Sequence, residues 1–440
     1  MKFTSTRNKT LHTSFIDAIC NCMPSDGGLY VPCDTEDLRR WISYIDENTS
    51  FTSIAGTLTS AFFHEELSPV ICENIASRAF TFSPEIKQLD EKLFLLDLTK
   101  GPSGSQKDFG LSFLINTLET YFQWEGGTAV FCDVTTGHLG SLLANLLKEK
   151  RFLKSVLIYP KGTVCGLSEE DFVWNGGNIF PVEVDGTEQD CHEIVRKIFQ
   201  DAEFVKRNKL TVANTANIGR LLPQAYFYPF AFSRIKNKVS SDIYYALDAG
   251  NYSNVVAGLY SWRFALPVNG FIVPSTNNLT CDAQGNPIFL DSVISIENRL
   301  PCDPAEPLNI ERLEEIFNTN KALTKYFIFP QNVSDSQIKE SAQELFMKYK
   351  ILADKDTSRA YSAYKNFNSS AENQEYSTVL VSREHNCYSK EFIQHTTGEI
   401  VETPELIQKM QKKVELNRPF ISTAEELKRI INNLYFQQSN

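Results

Sequence analysis

The chain has 440 residues, of which 42% are hydrophobic and 22% are charged. This composition is typical of a globular protein with roughly two or three domains. The net charge is −11, and the 43 basic residues are scattered along the chain. A nucleic-acid partner or an anionic membrane surface is therefore not expected, because either one favours a concentrated basic patch. No apolar stretch reaches the length of about 18 residues that a membrane span needs.

The ten cysteines form no CxxC pair and no Cys/His zinc spacing. Neither a disulfide framework nor a metal site is therefore predicted. The first residues, MKFTSTRNKTLH, lack the apolar segment of a secretory signal. We expect a cytoplasmic protein whose thiols are reduced.

Residues 1–95 have the pattern of helices broken by turns, with amphipathic segments at 50–64 and 68–79. Short apolar runs follow at 94–98 (FLLDL), 128–134 (TAVFCDV) and 243–248 (IYYALD), and a glycine-containing turn and a helical pattern come after each. This succession predicts an α/β fold with mostly parallel sheets flanked by helices. We expect the polar stretch 365–376 to be a loop.

Ligands of such sheets bind beyond the carboxyl ends of the strands, and three glycine-containing loops are expected there. In the first, GPSGSQKDFG (101–110), Lys107 opens a helix. The field at a helix amino terminus favours a neutral amine, the form that attacks a carbonyl group. A lysine at a helix start is more often a solvated surface residue, so this loop alone does not decide the function.

The second loop, AGNYSN (249–254), offers successive backbone N–H groups at a helix start, which suit a phosphate. Most such turns only reverse the chain. The third loop, TTGHLG (135–140), offers hydroxyls and N–H groups to a carboxylate. The alternative is an ordinary helix cap made by Thr135 or Thr136, with His138 pointing to solvent. A His138 that faced a ligand would bring positive charge near neutral pH.

In their order and spacing these loops resemble those of the threonine synthase family. The resemblance implies that this chain is a divergent member of that family. The resemblance rests on FTSTR (3–7), SDGGLYVP (25–32), GPSGSQKDFG, NTANIGRLLPQ (214–224) and AGNYSN. It implies the fold of fold-type-II pyridoxal 5'-phosphate (PLP) enzymes, which is like that of the tryptophan synthase β subunit. A helical amino-terminal domain, 1–95, would precede a catalytic region, 96–440, of two α/β lobes, the smaller at roughly 125–225.

The resemblance also implies the roles of single residues. Lys107 would carry the cofactor as a Schiff base, and Ser382 would face its pyridine nitrogen. The substrate would be bound by the 135–140 loop, with Arg220 as a candidate for an anionic group, unless that arginine makes a structural ion pair. The predicted cofactor-phosphate ligands are Gly250, Asn251, Tyr252, Ser253 and Asn254, and the predicted carboxylate site contains Thr135, Thr136, Gly137, His138 and Gly140.

Several motifs depart from the family pattern. The family's SGDTG reads TGHLG here, so His138 replaces an acidic residue. The block PHTAV aligns with 355–359, where its histidine is lost, and TAHPAKF aligns loosely with 382–388. The motifs that hold the cofactor are better kept than those that hold the substrate.

The function implied is the conversion of O-phospho-L-homoserine and water to L-threonine and phosphate. Two alternatives stay open because the substrate loops have changed. One is a PLP-dependent lyase or synthase that acts on another amino acid, and the other is a catalytically inactive binding protein.

Overall fold

The computed structural model describes residues 1–63, 65–148, 150–167, 177–370, 375–416, 418 and 420–436. The β-strands are β1 Phe3–Ser5, β2 Tyr30–Pro32, β3 Glu85–Gln88, β4 Leu93–Asp97, β5 Ala129–Val134, β6 Leu153–Pro160, β7 Thr163–Cys165, β8 Ile179–Val184, β9 Leu210–Thr211, β10 Asp242–Ala246, β11 Gly270–Pro274, β12 Leu279–Cys281, β13 Pro287–Phe289, β14 Ile328–Gln331, β15 Tyr376–Ser382, β16 Lys413–Glu415 and β17 Phe420–Ile421.

The α-helices are Phe15–Asn21, Arg39–Tyr44, Phe51–Phe63, Pro69–Ala79, Lys107–Glu125, Leu139–Leu147, Glu188–Phe199, Ala202–Arg207, Ile218–Leu221, Phe227–Ile235, Ser253–Arg263, Ile310–Ile316, Asp335–Tyr349, Lys355–Ser370, Lys390–Thr397, Glu405–Gln411 and Ala424–Phe436. Short 3-10 helices are Leu222–Tyr226, Leu290–Val293, Ile296–Asn298, Lys321–Tyr326 and Asn386–Ser389.

Two parallel sheets form the centre of the fold. The larger has the order β14-β11-β10-β15-β4-β3, and only its edge strand β3 is antiparallel. The smaller has the order β17-β8-β6-β5-β9 and is parallel throughout. The predicted α/β class with mostly parallel sheets and flanking helices is confirmed. Strands buried on both faces are apolar almost throughout, which is why runs such as FLLDL could be recognised.

An aromatic cluster anchors the helix that begins at Lys107. Phe109 packs edge-on against Phe51 and Phe227, with ring centroids 5.4 and 5.0 Å apart. The ring centroid of Phe80 lies 6.2 Å from that of Phe109. Edge-to-face contacts of this kind stabilise a core beyond the area that they bury. The amino-terminal helices thereby fix the position of a residue only two places after Lys107.

The division of the chain at residue 95, and the lobe at 125–225, remain predictions. β3 and β4 belong to the larger sheet, whereas β17 joins the smaller sheet from near the carboxyl end. Residues 168–176, within the predicted smaller lobe, lie outside the described residues.

The loop predicted for 365–376 is wrong for its first part, because the helix Lys355–Ser370 continues through it. Tyr361, Tyr364 and Phe367 recur at helical spacing and pack with one apolar cluster. Burial of this stripe outweighs the poor helix propensity of the asparagines and serines around it. Residues 371–374 lie outside the described residues.

All ten cysteines are free thiols. No helix among the described residues is both long and apolar enough to cross a membrane. Within the same part of the chain, no group of histidine, cysteine and acidic side chains is arranged to hold a metal ion.

Candidate active site

The three neighbouring strands β4, β15 and β10 run parallel, so their carboxyl ends meet at one edge of the larger sheet. β4 leads into the loop 101–110, called the lysine loop below because it contains Lys107. β10 leads into the loop 249–254, and β15 ends at Ser382. The sheet thus brings together three segments that are far apart in the sequence. Ser382 is fixed in the middle, where its carbonyl oxygen accepts a hydrogen bond of 2.9 Å from the Leu98 amide.

The lysine loop is fastened to the segment that follows β15. The Gln106 amide donates to the Arg383 carbonyl at 2.8 Å, and the His385 amide donates to the Gly104 carbonyl at 2.7 Å. Nζ of Lys107 lies 3.4 Å from Oε1 of Glu384, and both side chains are partly exposed. The amine is therefore reachable from solvent while its loop is rigid.

The Asp108 carboxylate binds two backbone amides of the lysine loop. Its Oδ2 accepts hydrogen bonds from the amides of Ser103 at 3.0 Å and Ser105 at 3.5 Å. Burial raises the pKa of this carboxyl to about 6, although these hydrogen bonds and the charge of Arg220 oppose the rise. The acidic neighbour of Lys107 therefore stabilises the loop and faces away from solvent.

Arg220 lies behind the helix of Lys107, packed against Gly110, and is 5% exposed. Burial lowers its pKa to about 10, and the charge of Asp108 partly offsets this. Its Nη1 has no hydrogen-bond partner among the described residues. Contact of Arg220 with a substrate remains a prediction, and the position of the side chain in the core limits the access of a substrate to it.

The loop 249–254 has the left-handed backbone that a tight anion-binding turn requires, with φ of +50° at Gly250 and +66° at Tyr252. It leads into the helix Ser253–Arg263. The Gly250 amide is already taken, because it donates to Oδ1 of Asp248 at 2.9 Å. The Asn251 side chain donates to the Thr215 hydroxyl at 2.8 Å.

The loop 135–140 is built around a helix cap. The Thr135 hydroxyl accepts from the Gly140 amide at 3.0 Å and donates to the Gly137 carbonyl at 3.1 Å. Thr136 is exposed, and its hydroxyl donates to Glu188 at 2.8 Å. The two hydroxyls predicted for a carboxylate thus already have partners within the protein, and Gly140 has no room for a side chain beside Thr135.

His138 is the member of this loop whose pKa is affected by the charge of Lys107. Its ring stacks on Tyr388 with centroids 4.9 Å apart, and its buried Nε2 has no hydrogen-bond partner among the described residues. Burial, and then the charge of Lys107, lower its pKa to about 4, against a smaller opposing effect of Glu384. A positively charged His138 near neutral pH is therefore disfavoured, because the ring is half-buried against Tyr388 and the charge of Lys107 acts on it. Its contact with a substrate remains a prediction.

Arg383 and Glu384 lie in a segment that aligns loosely with a family motif, but the sequence predicted no role for either side chain. The ion pairs of Glu384 with Lys107 and of Arg383 with Asp248 join segments that are remote in the chain. The signal that points to both is their position directly after Ser382, at the carboxyl end of a strand in the middle of the sheet.

Two mostly parallel sheets, with a lysine loop at the carboxyl edge of the larger one, are the features of fold-type-II α/β enzymes. A solved structure of this class, PLP-bound threonine synthase from Brucella melitensis, matches with a TM-score of 0.78 over 98% of this chain and 99% of that chain, at 18% identity.

The sequence comparisons narrow this class to one family. Residues 2–80 match the family model described as threonine synthase N terminus. Threonine synthase of Buchnera aphidicola subsp. Schizaphis graminum is 30% identical over 302 residues, which cover 67% of this chain and 69% of that protein. Threonine synthase of Escherichia coli K12 is 27% identical over 411 residues, which cover 92% and 93%. The chain belongs to the threonine synthase family.

Proposed function

We propose that the protein is a PLP-dependent threonine synthase that converts O-phospho-L-homoserine and water to L-threonine and phosphate. The observation that carries the proposal is the meeting of Lys107, Ser382 and the loop 249–254 at the carboxyl ends of β4, β15 and β10. Family membership supports the same conclusion. The implied partner is a small phosphorylated amino acid, and we place the reaction in the cytoplasm because all ten thiols are free.

The residues present fit the proposed cofactor. The loop 249–254 precedes a helix start, where backbone dipoles favour an anion. Both polar atoms of the Asn254 side chain are buried without a hydrogen-bond partner among the described residues, and a phosphate there would accept a hydrogen bond from the amide nitrogen. Lys107 is accessible at the same sheet edge, as covalent attachment of an aldehyde requires.

When bound, PLP supplies an electron sink for the amino-acid substrate. Lys107 carries the cofactor and, from the first turn of its helix, moves protons at the substrate carbons. Asp108 keeps the lysine loop in place through the Ser103 amide. His138, neutral at pH 7 and carrying an unpartnered Nε2, offers one hydrogen bond to the substrate.

The direct test is product analysis. Purified protein with PLP should release equal amounts of threonine and phosphate from phosphohomoserine, and the Lys107→Ala protein should release neither. Cofactor binding without threonine formation would sink the proposal. Turnover of a different amino acid would then favour the first alternative, and the absence of turnover with any amino acid would favour the binding protein.

A further inference from the structure

Arg383 lies against the loop that is proposed to bind the cofactor phosphate. Its side chain is only 10% exposed. A Cβ on Gly250 would lie 2.9 Å from Nη1 of Arg383, so the absence of a side chain at Gly250 leaves the guanidinium next to the backbone of the loop. Arg383 is the residue that directly follows β15.

Two carboxylates orient this guanidinium through one of its nitrogens. Nη2 lies 3.4 Å from Oδ1 of Asp248 and 3.0 Å from Oδ2 of Asp356. Among the residues that the structure describes, none accepts a hydrogen bond from Nη1. The nitrogen that faces Gly250 is therefore a donor available to a ligand, and a charged N–H group of this kind makes a strong hydrogen bond to a phosphate oxygen.

The charges around the loop explain why an arginine is needed. Asp248 is 7% exposed and accepts the Gly250 amide, so it removes one backbone donor and puts a negative charge beneath the loop. That charge repels a phosphate dianion. Arg359, whose Nη1 lies 3.1 Å from Oδ2 of Asp248, compensates from one side. Arg383 also offsets the negative charge of Asp248, and it does so next to Gly250.

The geometry points to Arg383 as a side-chain ligand of the cofactor phosphate at the loop 249–254. This inference rests on the proposed function and deepens it. Nη1 of Arg383 replaces the donor that Asp248 takes from the loop, and the Asn254 amide is a second unpartnered donor at the start of the helix that follows the loop. Phosphate binding in this chain thus depends on a side chain as well as on the backbone.

The test compares PLP with pyridoxal, which lacks the phosphate. Dissociation constants for both compounds are measured by spectral titration for the parent, Arg383→Gln, Arg383→Lys and, as a matched control, Arg359→Gln. The parent should bind PLP more tightly than pyridoxal. Arg383→Gln should lose about tenfold or more in PLP affinity with pyridoxal affinity unchanged, since a charge-assisted hydrogen bond is lost. Arg383→Lys should keep part of the preference for PLP, and Arg359→Gln most of it.

Melting curves establish that each variant is folded. If Arg383→Gln does not fold, the PLP and pyridoxal affinities of Arg383→Lys provide the test. The inference is overturned if PLP affinity is unchanged in the folded Arg383 variants, or if PLP and pyridoxal weaken equally. A parent that binds PLP no better than pyridoxal also overturns it. A parent that binds neither compound overturns the proposed function itself, which is a different and separately recognisable outcome.

Discussion

Lys107 and Glu384 form an ion pair with 3.4 Å between Nζ and Oε1, at the place where the lysine loop meets the end of β15. The same carboxylate oxygen lies 3.5 Å from the Ser105 hydroxyl. The amine that is proposed to carry the cofactor is therefore held by an acidic side chain from a distant part of the sequence. This pair has to break before Nζ can react.

Glu384→Gln should accelerate the attachment of PLP to the protein. A partly exposed pair contributes about 0–1 kcal/mol, so the gain in rate should be no more than about fivefold. The measurement is the growth of the cofactor absorbance after mixing the cofactor-free protein with PLP. Glu405→Gln removes the partner of Lys409 at an exposed pair elsewhere and should leave the rate unchanged. A slower attachment in Glu384→Gln would mean that the carboxylate assists the lysine.

Gly250→Val should weaken PLP binding by at least about tenfold, because a β-branched residue at φ +50° is strained and its Cβ would lie within 2.9 Å of Arg383. Equilibrium titration with PLP measures the effect. The matched control is Gly137→Val, since a Cβ at Gly137 has no heavy atom within 4 Å. Equal affinities in the two variants would argue against a phosphate at the loop 249–254.

His138 should make stability depend on pH. Its pKa is lowered from 6.5 to about 4 in the folded protein, so between these values the unfolded chain binds a proton that the folded chain does not. The free energy of unfolding contributed by this group is full above pH 6.5 and falls as the pH drops towards 4, by about 3 kcal/mol. Urea unfolding of the parent and of His138→Gln, at pH 7 and pH 4.5, isolates the effect as a difference between the two proteins.

If both proteins lost stability in parallel, His138 would be exposed rather than buried against Tyr388. The same low pKa predicts that the affinity for phosphohomoserine stays level between pH 5.5 and 8.5 as far as His138 is concerned, because the ring is neutral throughout. Matching pH profiles for the parent and His138→Asn would agree with this account.

Asp108→Ala should destabilise the protein by about 2 kcal/mol, because two buried amides of the lysine loop lose their acceptor and Arg220 loses a nearby negative charge. Denaturant unfolding at pH 8, where the carboxylate of the parent is ionised, gives the value. Asp37→Ala, at an exposed aspartate, is the control and should hardly change the stability. A neutral effect of Asp108→Ala would contradict the role of this carboxylate in holding the loop.

The strands could be predicted from the sequence because burial on both faces makes their apolar runs continuous, as in β4 and β5. The loops that follow them could be placed at one sheet edge because parallel strands share a direction. The long-range contacts could not be predicted. Whether Arg383 turns towards Gly250, or Arg220 towards the core, depends on packing between segments that local patterns do not relate.

The same limit applies to His138 and to the helix Lys355–Ser370. The local sequence TTGHLG fits a solvent-facing turn, and only the structure reveals that the ring is half-buried and stacks on Tyr388. The asparagines and serines near 365–370 favour a loop by propensity, and only the apolar cluster around Phe367 explains why a helix forms. Tertiary burial decides both cases.

Peptide mapping shows which lysine of the protein carries the cofactor, and we expect it to be Lys107. Protein incubated with PLP is reduced with borohydride, digested and examined by mass spectrometry, with Lys161→Ala as a control at an exposed lysine. We expect one pyridoxyl-modified peptide, which contains Lys107, in the parent and in Lys161→Ala, and none in Lys107→Ala. A reduced adduct on another lysine, or one that persists at full yield in Lys107→Ala, would contradict it.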